Sequence, residues 1–429
     1  MYLRTRALTL LLAATAAIFT LNTAHAQSAR IDLPAGYAST AEEDLPVMSR
    51  NRPEYDAKGV PLGGFRFFPD LKVVGAYETN IFRTQTNTVD DFFVDIAPSF
   101  RLQSEWTRHL LEVYGGLNNY NYARNTSENL TDWNVGADGR YDIAGGTSVY
   151  ANGSASELHE ARSSPNVTGF QASPNRYFLY HGEATGTIQP NRLGFTAGGT
   201  IDSFDYENTP LIGGGFLNNS DRDYDEYQGF LKAFYDFSPG YSGFFRAAYD
   251  SRKFHQFLDR SGFHRSSDGY RVDGGLNFQI SHLLLGEAYV GYLSQDFAAP
   301  LQDVSGIDYS ARLDWLATPL LTVHFQAART LTQVILAGVS VSDDDIFGVS
   351  ADYELYRNVI LRAHGNYVSS TFVGSTRRDQ SPDVGVAIKY LMNRNMSVDL
   401  GYNYSERATN VTGSNFHNSQ VTLGLNLHL

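Results

Sequence analysis

The sequence of 429 residues contains no cysteine, and this absence excludes disulfide bonds and thiol chemistry. It also excludes anchoring through a lipid-modified cysteine. A second absence concerns long apolar runs: after the first 26 residues, no stretch reaches the ~20 apolar residues that a membrane-spanning helix requires. The chain is therefore not expected to remain in a membrane as a helical protein.

Positive charge is also scarce, because 33 Lys and Arg stand against 46 Asp and Glu, for a net charge of −13. Such an acidic balance argues against nucleic acid as a partner. The sequence has no G-x-S-x-G, P-loop or H-E-x-x-H motif, and its 11 His are scattered. We therefore predict that the protein is not an enzyme and that it needs no cofactor.

The first 26 residues have the features of a secretory signal peptide. Arg4 and Arg6 form a basic start, residues 8–21 are apolar, and residues 24–26 are a small-x-small cleavage site before Gln27. A membrane anchor is the alternative, but the apolar stretch is shorter than a spanning helix needs. Cleavage would remove two positive charges and no acids, which leaves a net charge of −15 on the mature chain.

Many later segments alternate strictly between apolar and polar residues. At the end of the chain, five aliphatic residues alternate with small or polar ones: Val421, Leu423, Leu425, Leu427 and Leu429. Period-two alternation places all of them on one face of a β-strand. Segments 270–280, 307–315 and 347–355 repeat the pattern. An uncharged aliphatic face suits lipid, whereas the polar face suits a watery lumen.

The connections between these segments alternate between tight and long. Tight turns are predicted at 105–108, 144–146, 189–191, 238–240, 281–282, 318–319, 356–358 and 392–395. Longer polar stretches are predicted at 81–90, 123–130, 160–175, 206–221, 255–268, 297–304, 332–343, 370–381 and 406–416. Membrane barrels have short periplasmic turns and longer extracellular loops. A soluble array of β-sandwiches is the alternative, and this asymmetry is not expected of it.

The predicted fold is therefore all-β: a transmembrane antiparallel up-and-down β-barrel of about 18 strands, located in the outer membrane. The predicted parts are a signal peptide (1–26), an irregular periplasmic N-terminal segment (27–60) and the barrel (61–429). Barrels of 16–18 strands leave an aqueous channel, whereas smaller ones are filled by side chains. The size thus favours an open channel.

Charged residues on the polar strand faces must point into the lumen, because each would cost ~2–4 kcal/mol on the lipid face near the midplane. The candidate pore-lining residues are Arg246, Arg271, Asp273, Asp308, Arg312, Asp314, Asp352, Glu354, Arg362 and Lys389. Both signs occur, so no strongly basic path for a polyanion is expected. His324 and His364 also fall on lumen positions, and we favour polar wall filling over paired metal ligation.

Two acidic runs lie in or beside the predicted extracellular loops. Their members are Asp221, Asp223, Asp225, Asp343, Asp344 and Asp345. A D-x-D-x-D run suggests a Ca²⁺ loop, but the Gly and the closing Glu of that motif are missing at the right offsets. We therefore predict a solvated acidic loop rim that gives a mild cation preference, and no metal site. Bridging of divalent cations to lipopolysaccharide phosphates is the alternative.

Three stretches at the start of the barrel resemble a known family. They are Arg52-Pro53-Glu54-Tyr55-Asp56, then residues 59–65 (GVPLGGF), and finally residues 75–83 (GAYETNIFR). They are similar to the start of the putative beta-barrel porin 2 family. The resemblance implies an outer-membrane barrel of proteobacteria, often linked with exopolysaccharide biosynthesis and export. It supplies no catalytic or ligand-binding residues.

The functional hypothesis is a porin-like outer-membrane channel that serves as a conduit for exopolysaccharide export or for small polar solutes. One alternative is an occluded structural or assembly component of an envelope polysaccharide machine. A second is a barrel hydrolase, which would need Ser, His and Asp to converge at one lip. The expected partners are outer-membrane lipid and lipopolysaccharide, the barrel assembly machinery, and the polysaccharide or solute.

Overall fold

The computed structural model of the chain describes residues 45–167, 169–280 and 283–429. The predicted signal peptide, residues 27–44 of the predicted periplasmic segment, and the predicted turn at 281–282 lie outside the described residues. The described residues therefore include almost the whole barrel.

The described residues form 21 strands and three short 3₁₀ turns. The strands are β1 (Val60–Leu62), β2 (Phe65–Glu78), β3 (Asp91–Ser104), β4 (Leu110–Tyr122), β5 (Leu130–Asp142), β6 (Ser148–His159), β7 (Arg176–Ile188), β8 (Leu193–Tyr206), β9 (Thr209–Pro210), β10 (Phe216–Leu217), β11 (Tyr224–Ser238), β12 (Tyr241–Phe254), β13 (Ser267–Ile280), β14 (Leu284–Phe297), β15 (Val304–Thr318), β16 (Leu321–Gln333), β17 (Val341–Tyr356), β18 (Val359–Phe372), β19 (Arg378–Asn393), β20 (Met396–Thr409) and β21 (Phe416–His428). The 3₁₀ turns are Val47–Ser49, Thr126–Glu128 and Ser220–Arg222. Among these residues, no helix is long and apolar enough to cross a membrane.

Eighteen of the strands close into a single antiparallel barrel. Each of β2 to β8 and β11 to β21 pairs with its neighbour along the chain, and β8 pairs with β11. The barrel closes because β21 pairs with β2, for example through Leu425 opposite Val73. The short strand β1 pairs with β2 beside this seam, and β9 and β10 form a small hairpin inside one loop. The predicted strand count is confirmed.

Side chains alternate between the outer surface and the lumen as the sequence pattern predicts. In β21, Val421, Leu423 and Leu425 are exposed on the outside, while Gln420 and Gly424 on the opposite face are buried. Alternation follows from the pleat, which turns successive Cβ atoms to opposite faces. Every strand thus contributes one row to the lipid surface and one to the channel wall.

The two ends of the barrel differ in the length of their connections. At the periplasmic end, where β21 finishes, the strands are joined by turns such as 143–147, 189–192 and 394–395. At the extracellular end the connections are longer, and the longest run over 160–175 and 207–223. Short turns at one end and long loops at the other confirm the predicted topology.

Candidate channel lumen

All ten predicted pore-lining residues lie on strands of one arc of the wall, from β12 to β19. Each occupies the row opposite to exposed apolar residues such as Phe245, Tyr270 and Ile388. Their side chains therefore face the lumen. Glu287 of β14 shares this face with Leu285 and Tyr289.

Ion pairs cross between neighbouring strands of this arc. Arg246 lies 2.9 Å from Asp273, Arg271 lies 3.3 Å from Asp308, and Arg362 lies 2.9 Å from Asp352. In each pair the cation is the more exposed partner: 21% against 0%, 41% against 0%, and 30% against 5% of the side chain. The long guanidinium arm extends past the short Asp carboxylate, which stays against the wall. Water in the lumen therefore meets guanidinium groups first.

His324 connects two carboxylates of the same arc. Its Nδ1 lies 2.6 Å from Asp314 and its Nε2 lies 3.2 Å from Asp352. His364 instead contacts Asp383 at 3.0 Å. Because each imidazole has its own carboxylate partners on adjacent strands, the two histidines are not brought together as a ligand pair. They act as hydrogen-bonded parts of the wall.

The remaining predicted lining residues also have opposite charges beside them. Arg312 stands directly opposite Glu287 on the neighbouring strand, and Lys389 stands opposite Asp399. Charges of both signs therefore alternate across the arc, and no single-sign track runs along it. This pattern matches the mixed wall expected from the sequence, although its role in conduction stays a prediction.

A segment at residues 45–56, here named the periplasmic strap, lies against the periplasmic end of this arc. The Val47 amide donates to Oγ1 of Thr322 at 2.9 Å, and Arg52 binds Glu354 at 2.8 Å. Arg50 approaches the same carboxylate at 3.6 Å. Since Thr322 and Glu354 face the lumen, the strap lines the mouth from inside. Residues 45–56 of the predicted segment at 27–60 therefore form part of the channel entrance.

At the other end, one extracellular loop reaches across the barrel. Residues 160–175, here named the cross-lumen loop, connect β6 and β7, the fifth and sixth barrel strands. Oδ1 of Asn166 accepts a hydrogen bond from the Ile335 amide at 3.0 Å, and Arg407 donates to the Ser163 carbonyl at 2.9 Å. Ile335 follows the thirteenth strand, almost diametrically opposite. The loop therefore narrows the extracellular half of the lumen.

A buried ion pair fixes the base of the cross-lumen loop. Arg222 binds both carboxylate oxygens of Glu160, with one N–O distance of 2.9 Å, and Nδ2 of Asn175 donates to the same carboxylate at 2.7 Å. The guanidinium lies 3.9 Å over the Tyr206 ring. Burial raises the pKa of Glu160, but the charge and hydrogen bonds of Arg222 lower it more, so the pKa lies below its ordinary value. The pair stays ionised at neutral pH.

Stacked aromatic rings support this pair from below. Phe204 stacks on Tyr224 with ring centroids 4.5 Å apart, and Tyr224 stacks on Phe254 at 5.0 Å. Phe204 and Tyr224 are buried. Because they are covered, these rings stabilise the wall beneath the loops and offer no surface on which a sugar could stack.

A second buried arginine fixes the loop that the cross-lumen loop reaches. Arg265 donates to the carbonyls of Val334, Val339 and Leu336 at 2.8 to 2.9 Å and pairs with Asp259 at 2.5 Å. Loop 255–266 is thereby tied to loop 334–340. Three loops thus meet inside the extracellular end of the barrel.

The first acidic run is not a solvated rim. Asp221 is buried and paired with Arg260, which lowers its pKa despite the opposing effect of burial. Asp223 is buried too and accepts from the Tyr206 amide at 2.7 Å, and its pKa is raised by burial. Asp225 lies in β11, 3.3 Å from His255. These carboxylates are occupied in holding the loops.

The second acidic run does not lie in a loop, so that prediction is wrong. Asp343, Asp344 and Asp345 belong to β17, which begins at Val341. Asp343 pairs with Arg329 at 2.8 Å. The strand continues beyond the hydrocarbon region, and its end is therefore polar. In sequence, such a polar strand end resembles a loop. Because these two acidic runs do not form a free rim, they no longer support the predicted enrichment of cations at the mouth of the channel.

Sequence reasoning missed the residues that fill the extracellular end: Arg222, Arg265 and Arg407, with Glu160. Each has at least one partner on a distant loop or strand, which local spacing does not indicate. The available signal was the presence of both charge signs within single loops, such as Glu160 and Arg162. Isolated cations in otherwise polar loops are candidates for such buried contacts.

A family model for putative beta-barrel porin 2 matches residues 52–429. The chain belongs to the putative beta-barrel porin 2 family. The predicted family is therefore confirmed, and with the closed barrel it identifies a porin-like channel of the outer membrane. No curated protein matches the sequence.

Several solved outer-membrane proteins are similar to the chain at low identity. OpdK from Pseudomonas aeruginosa has a TM-score of 0.44 and 12% identity, covering 85% of this chain and 99% of that one. OpdQ from the same organism has 0.45 and 10%, covering 86% and 100%. OccAB4 from Acinetobacter baumannii has 0.44 and 10%, covering 85% and 98%. These likenesses say nothing about what the channel of this family member carries.

Proposed function

We propose that the protein is a passive diffusion channel for small polar solutes. The observation that carries this proposal is the cross-lumen loop, which bonds through Asn166 and Ser163 to the opposite side of the barrel. This loop is fixed at its base by a buried ion pair and is bonded through Asn166 to the loop at 334–340, so we expect it to obstruct part of the extracellular opening and to leave narrow passages. Such passages suit small molecules.

The chemistry of the wall supports polar cargo. Arg246, Arg271 and Arg362 present guanidinium groups to lumen water, while their carboxylate partners lie behind them. Guanidinium groups donate several hydrogen bonds in a fixed geometry and match carboxylates and other planar acceptors. Solutes with negatively charged or strongly accepting groups would therefore find partners along this arc.

Export of exopolysaccharide is the finer function linked with the family, and the geometry favours it less. A polymer needs a continuous path through the whole barrel, whereas three loops meet in the extracellular end. The mixed charges also form no single-sign track that would lower the barrier for a polyanion. We expect polymer passage to require displacement of the cross-lumen loop.

Liposome swelling with uncharged sugars of increasing size tests the proposal. Purified full-length protein should admit monosaccharides quickly, trisaccharides slowly and dextran not at all. A variant in which residues 161–174 are replaced by a short Gly-Ser linker should extend the size range. Passage of dextran through the unmodified protein would favour polymer export, and failure to admit monosaccharides would favour the occluded scaffold. Circular dichroism of both proteins controls for folding.

A further inference from the structure

The wall of the barrel continues above the membrane at β7 and β8. Beyond the ion pair of Arg176 and Glu207, which are 2.6 Å apart, the two chain segments pair again through a bridge between Gln171 and Leu211. The hairpin of β9 and β10 adds a third segment to this pairing. We name the three paired segments the raised wall: residues 170–172, 209–212 and 216–217.

The inner face of the raised wall is polar and buried. Gln171 and Thr209 are only 3% and 2% exposed. The Thr209 hydroxyl donates to Oδ1 of Asn175 at 2.7 Å and accepts from Nδ2 of Asn219 at 3.0 Å. Because Asn175 also donates to Glu160 at the base of the cross-lumen loop, this face is turned towards the interior of the barrel end. The opposite face therefore points outward.

The outer face of the raised wall is apolar and uncovered. Phe170, Ile212 and Phe216 lie on it and are 71%, 69% and 72% exposed. Among the described residues of the three segments, none is charged. Sheets that meet water on one side normally carry polar side chains there, so the distribution in the raised wall is inverted. A large exposed apolar patch on a water-facing surface marks a site of association.

Lipid acyl chains do not cover this face. The outward Arg176 lies between it and the hydrocarbon region, and its guanidinium binds Glu157 at 3.1 Å and Glu207 at 2.6 Å. An ion-pair network of this kind belongs to the headgroup level, because charge on the lipid face is costly near the midplane. Phe170 precedes Arg176 by six residues. At ~3.3 Å per residue of strand, the apolar face stands up to about 20 Å above that level.

Below the raised wall, the same side of the barrel presents small residues to the membrane. One outward row, here named the Gly/Ala row, crosses five neighbouring strands through Gly139, Ala151, Ala184, Gly199 and Gly229. On the opposite side of the barrel, an outward row consists of bulky residues: Ile388, Leu400 and Leu423. Small residues let neighbouring membrane segments approach closely. The side below the raised wall is therefore the one that a neighbouring protein can approach.

The occupant of this side has to reach two levels at once. It lies beside the barrel within the membrane, and it also rises above the headgroups to meet the raised wall. A second copy of the chain meets both conditions, because symmetry about an axis along the membrane normal places the same residues at the same height. The three exposed side chains present roughly 300–500 Å². This is about half of the ~800 Å² that each partner contributes to a stable interface, and the Gly/Ala row adds further contact.

We propose that copies of the protein pack side by side in the outer membrane, through the raised wall above the headgroups and the Gly/Ala row within the membrane. In this arrangement Phe170, Ile212 and Phe216 of neighbouring copies cover one another from water. The Gly/Ala rows allow the two barrel walls to approach closely enough for that contact. The contact uses only the outer surface, so it is independent of what the lumen carries.

Cysteine crosslinking tests this contact, because the sequence contains no cysteine and a single introduced cysteine reports one position. Full-length Ile212→Cys would be expressed in outer membranes and treated with a bismaleimide. We expect most of the chain to run as a covalent product of two copies. Val411→Cys is the matched control, because Val411 is exposed in the extracellular loop between β20 and β21, on the far side of the barrel. This variant should remain a single chain.

Sedimentation velocity of the purified barrel in mild detergent gives a second measurement. The triple variant Phe170→Ser, Ile212→Ser, Phe216→Ser should raise the concentration needed for assembly at least roughly tenfold, since burial of even one large apolar side chain is worth about that factor. Ala184→Trp should also prevent assembly, because it fills the Gly/Ala row. Ala363→Trp, at an exposed alanine of β18 on the far side, should not. Heat-modifiability on gels shows that each variant is a folded barrel.

Equal crosslinking of Ile212→Cys and Val411→Cys would overturn the proposal, and so would the absence of any product between two copies. Crosslinks from Ile212→Cys to a different envelope protein would assign the raised wall to that protein and would likewise overturn it. Equal assembly of Ala184→Trp, Ala363→Trp and the unmodified protein would show that the Gly/Ala row is not part of an interface and would overturn it too.

Discussion

The extracellular and periplasmic ends of this barrel are restricted by different means. At the extracellular end, Glu160 depends on a single cation, Arg222, in a buried site. At the periplasmic end, Glu354 has three cations within 3.6 Å: Arg50, Arg52 and Arg357. A single substitution can therefore remove the cation partner of Glu160, whereas the charge contacts of Glu354 are distributed over three arginines. Gating is expected at the extracellular end.

The largest effect should follow from Arg222→Gln. The substitution leaves the Glu160 carboxylate buried without its cation, which costs about 3–5 kcal/mol locally. We expect higher single-channel conductance and loss of hydrogen-exchange protection over 160–175. Arg260→Gln is the control, because Arg260 is partly exposed and its pair with Asp221 contributes less. Unchanged exchange in the first variant would show that the pair does not hold the loop.

The next-largest effect tests the strand register, which decides which side chains of β21 face lipid and which face the lumen. Leu425 faces lipid, so Leu425→Arg should cost ~2–4 kcal/mol and sharply reduce the yield of folded, heat-modifiable barrel. Asn426→Arg should fold well, because residue 426 faces the lumen beside Asp399. Equal yields in a refolding assay would contradict the assignment of the two faces.

Low pH should release the cross-lumen loop from its fixed position at the extracellular end. The pKa of Glu160 lies below its ordinary value of 4.5, so its ionisation stabilises the folded loop at higher pH, and this stabilisation is lost as pH falls through the lowered pKa. Conductance should therefore rise in a step as the pH falls below the ordinary glutamate value and through the lowered pKa of Glu160. A Glu160→Gln variant should lack the step. A step of the same size in that variant would assign the transition to other groups.

At the periplasmic end, Arg52→Gln should have a smaller effect. Glu354 would keep Arg50 and Arg357, so only the direct hydrogen bonds of Arg52 are lost, at about 1–2 kcal/mol. We expect limited proteolysis to cleave the strap somewhat faster, with conductance nearly unchanged. A conductance increase as large as that of Arg222→Gln would remove the distinction between the two ends.

The smallest expected effect concerns the charge selectivity of the lumen wall, which lies between the two ends. The double variant Arg271→Gln, Arg362→Gln removes two exposed cations and leaves Asp308 and Asp352 in the wall. The reversal potential in a salt gradient should shift slightly towards cation selectivity, and the shift should fade as salt shortens the screening length. Arg192→Gln, in a periplasmic turn, is the control. A shift towards anions would contradict the assigned lumen face.

The strands and periplasmic turns were predictable because their signals are local. Alternation in β21 and turn residues such as Ser238-Pro239-Gly240 act over a few positions, and the structure follows them. The extracellular contacts were not predictable, because Ser163 and Arg407 are 244 residues apart and meet only after the barrel closes. The error at Asp343 has a physical cause as well: a strand end in the headgroup region is as polar as a loop.

The ion pairs of the lumen were predictable in position but not in orientation. Period-two alternation places Arg271 and Asp308 inside, yet which partner reaches the water depends on side-chain length and on neighbours across strands. The same holds for the periplasmic strap, whose sequence gives no sign that Arg52 binds Glu354 across 302 residues.

Single-channel conductance with and without the cross-lumen loop tests the central claim most directly. The full-length protein and the variant with residues 161–174 replaced by a short linker would be compared in the same planar bilayer. A narrowed extracellular half predicts a clearly larger conductance for the variant, together with access for polymers that the intact channel excludes. Identical conductance and identical polymer exclusion in two well-folded proteins would contradict the account.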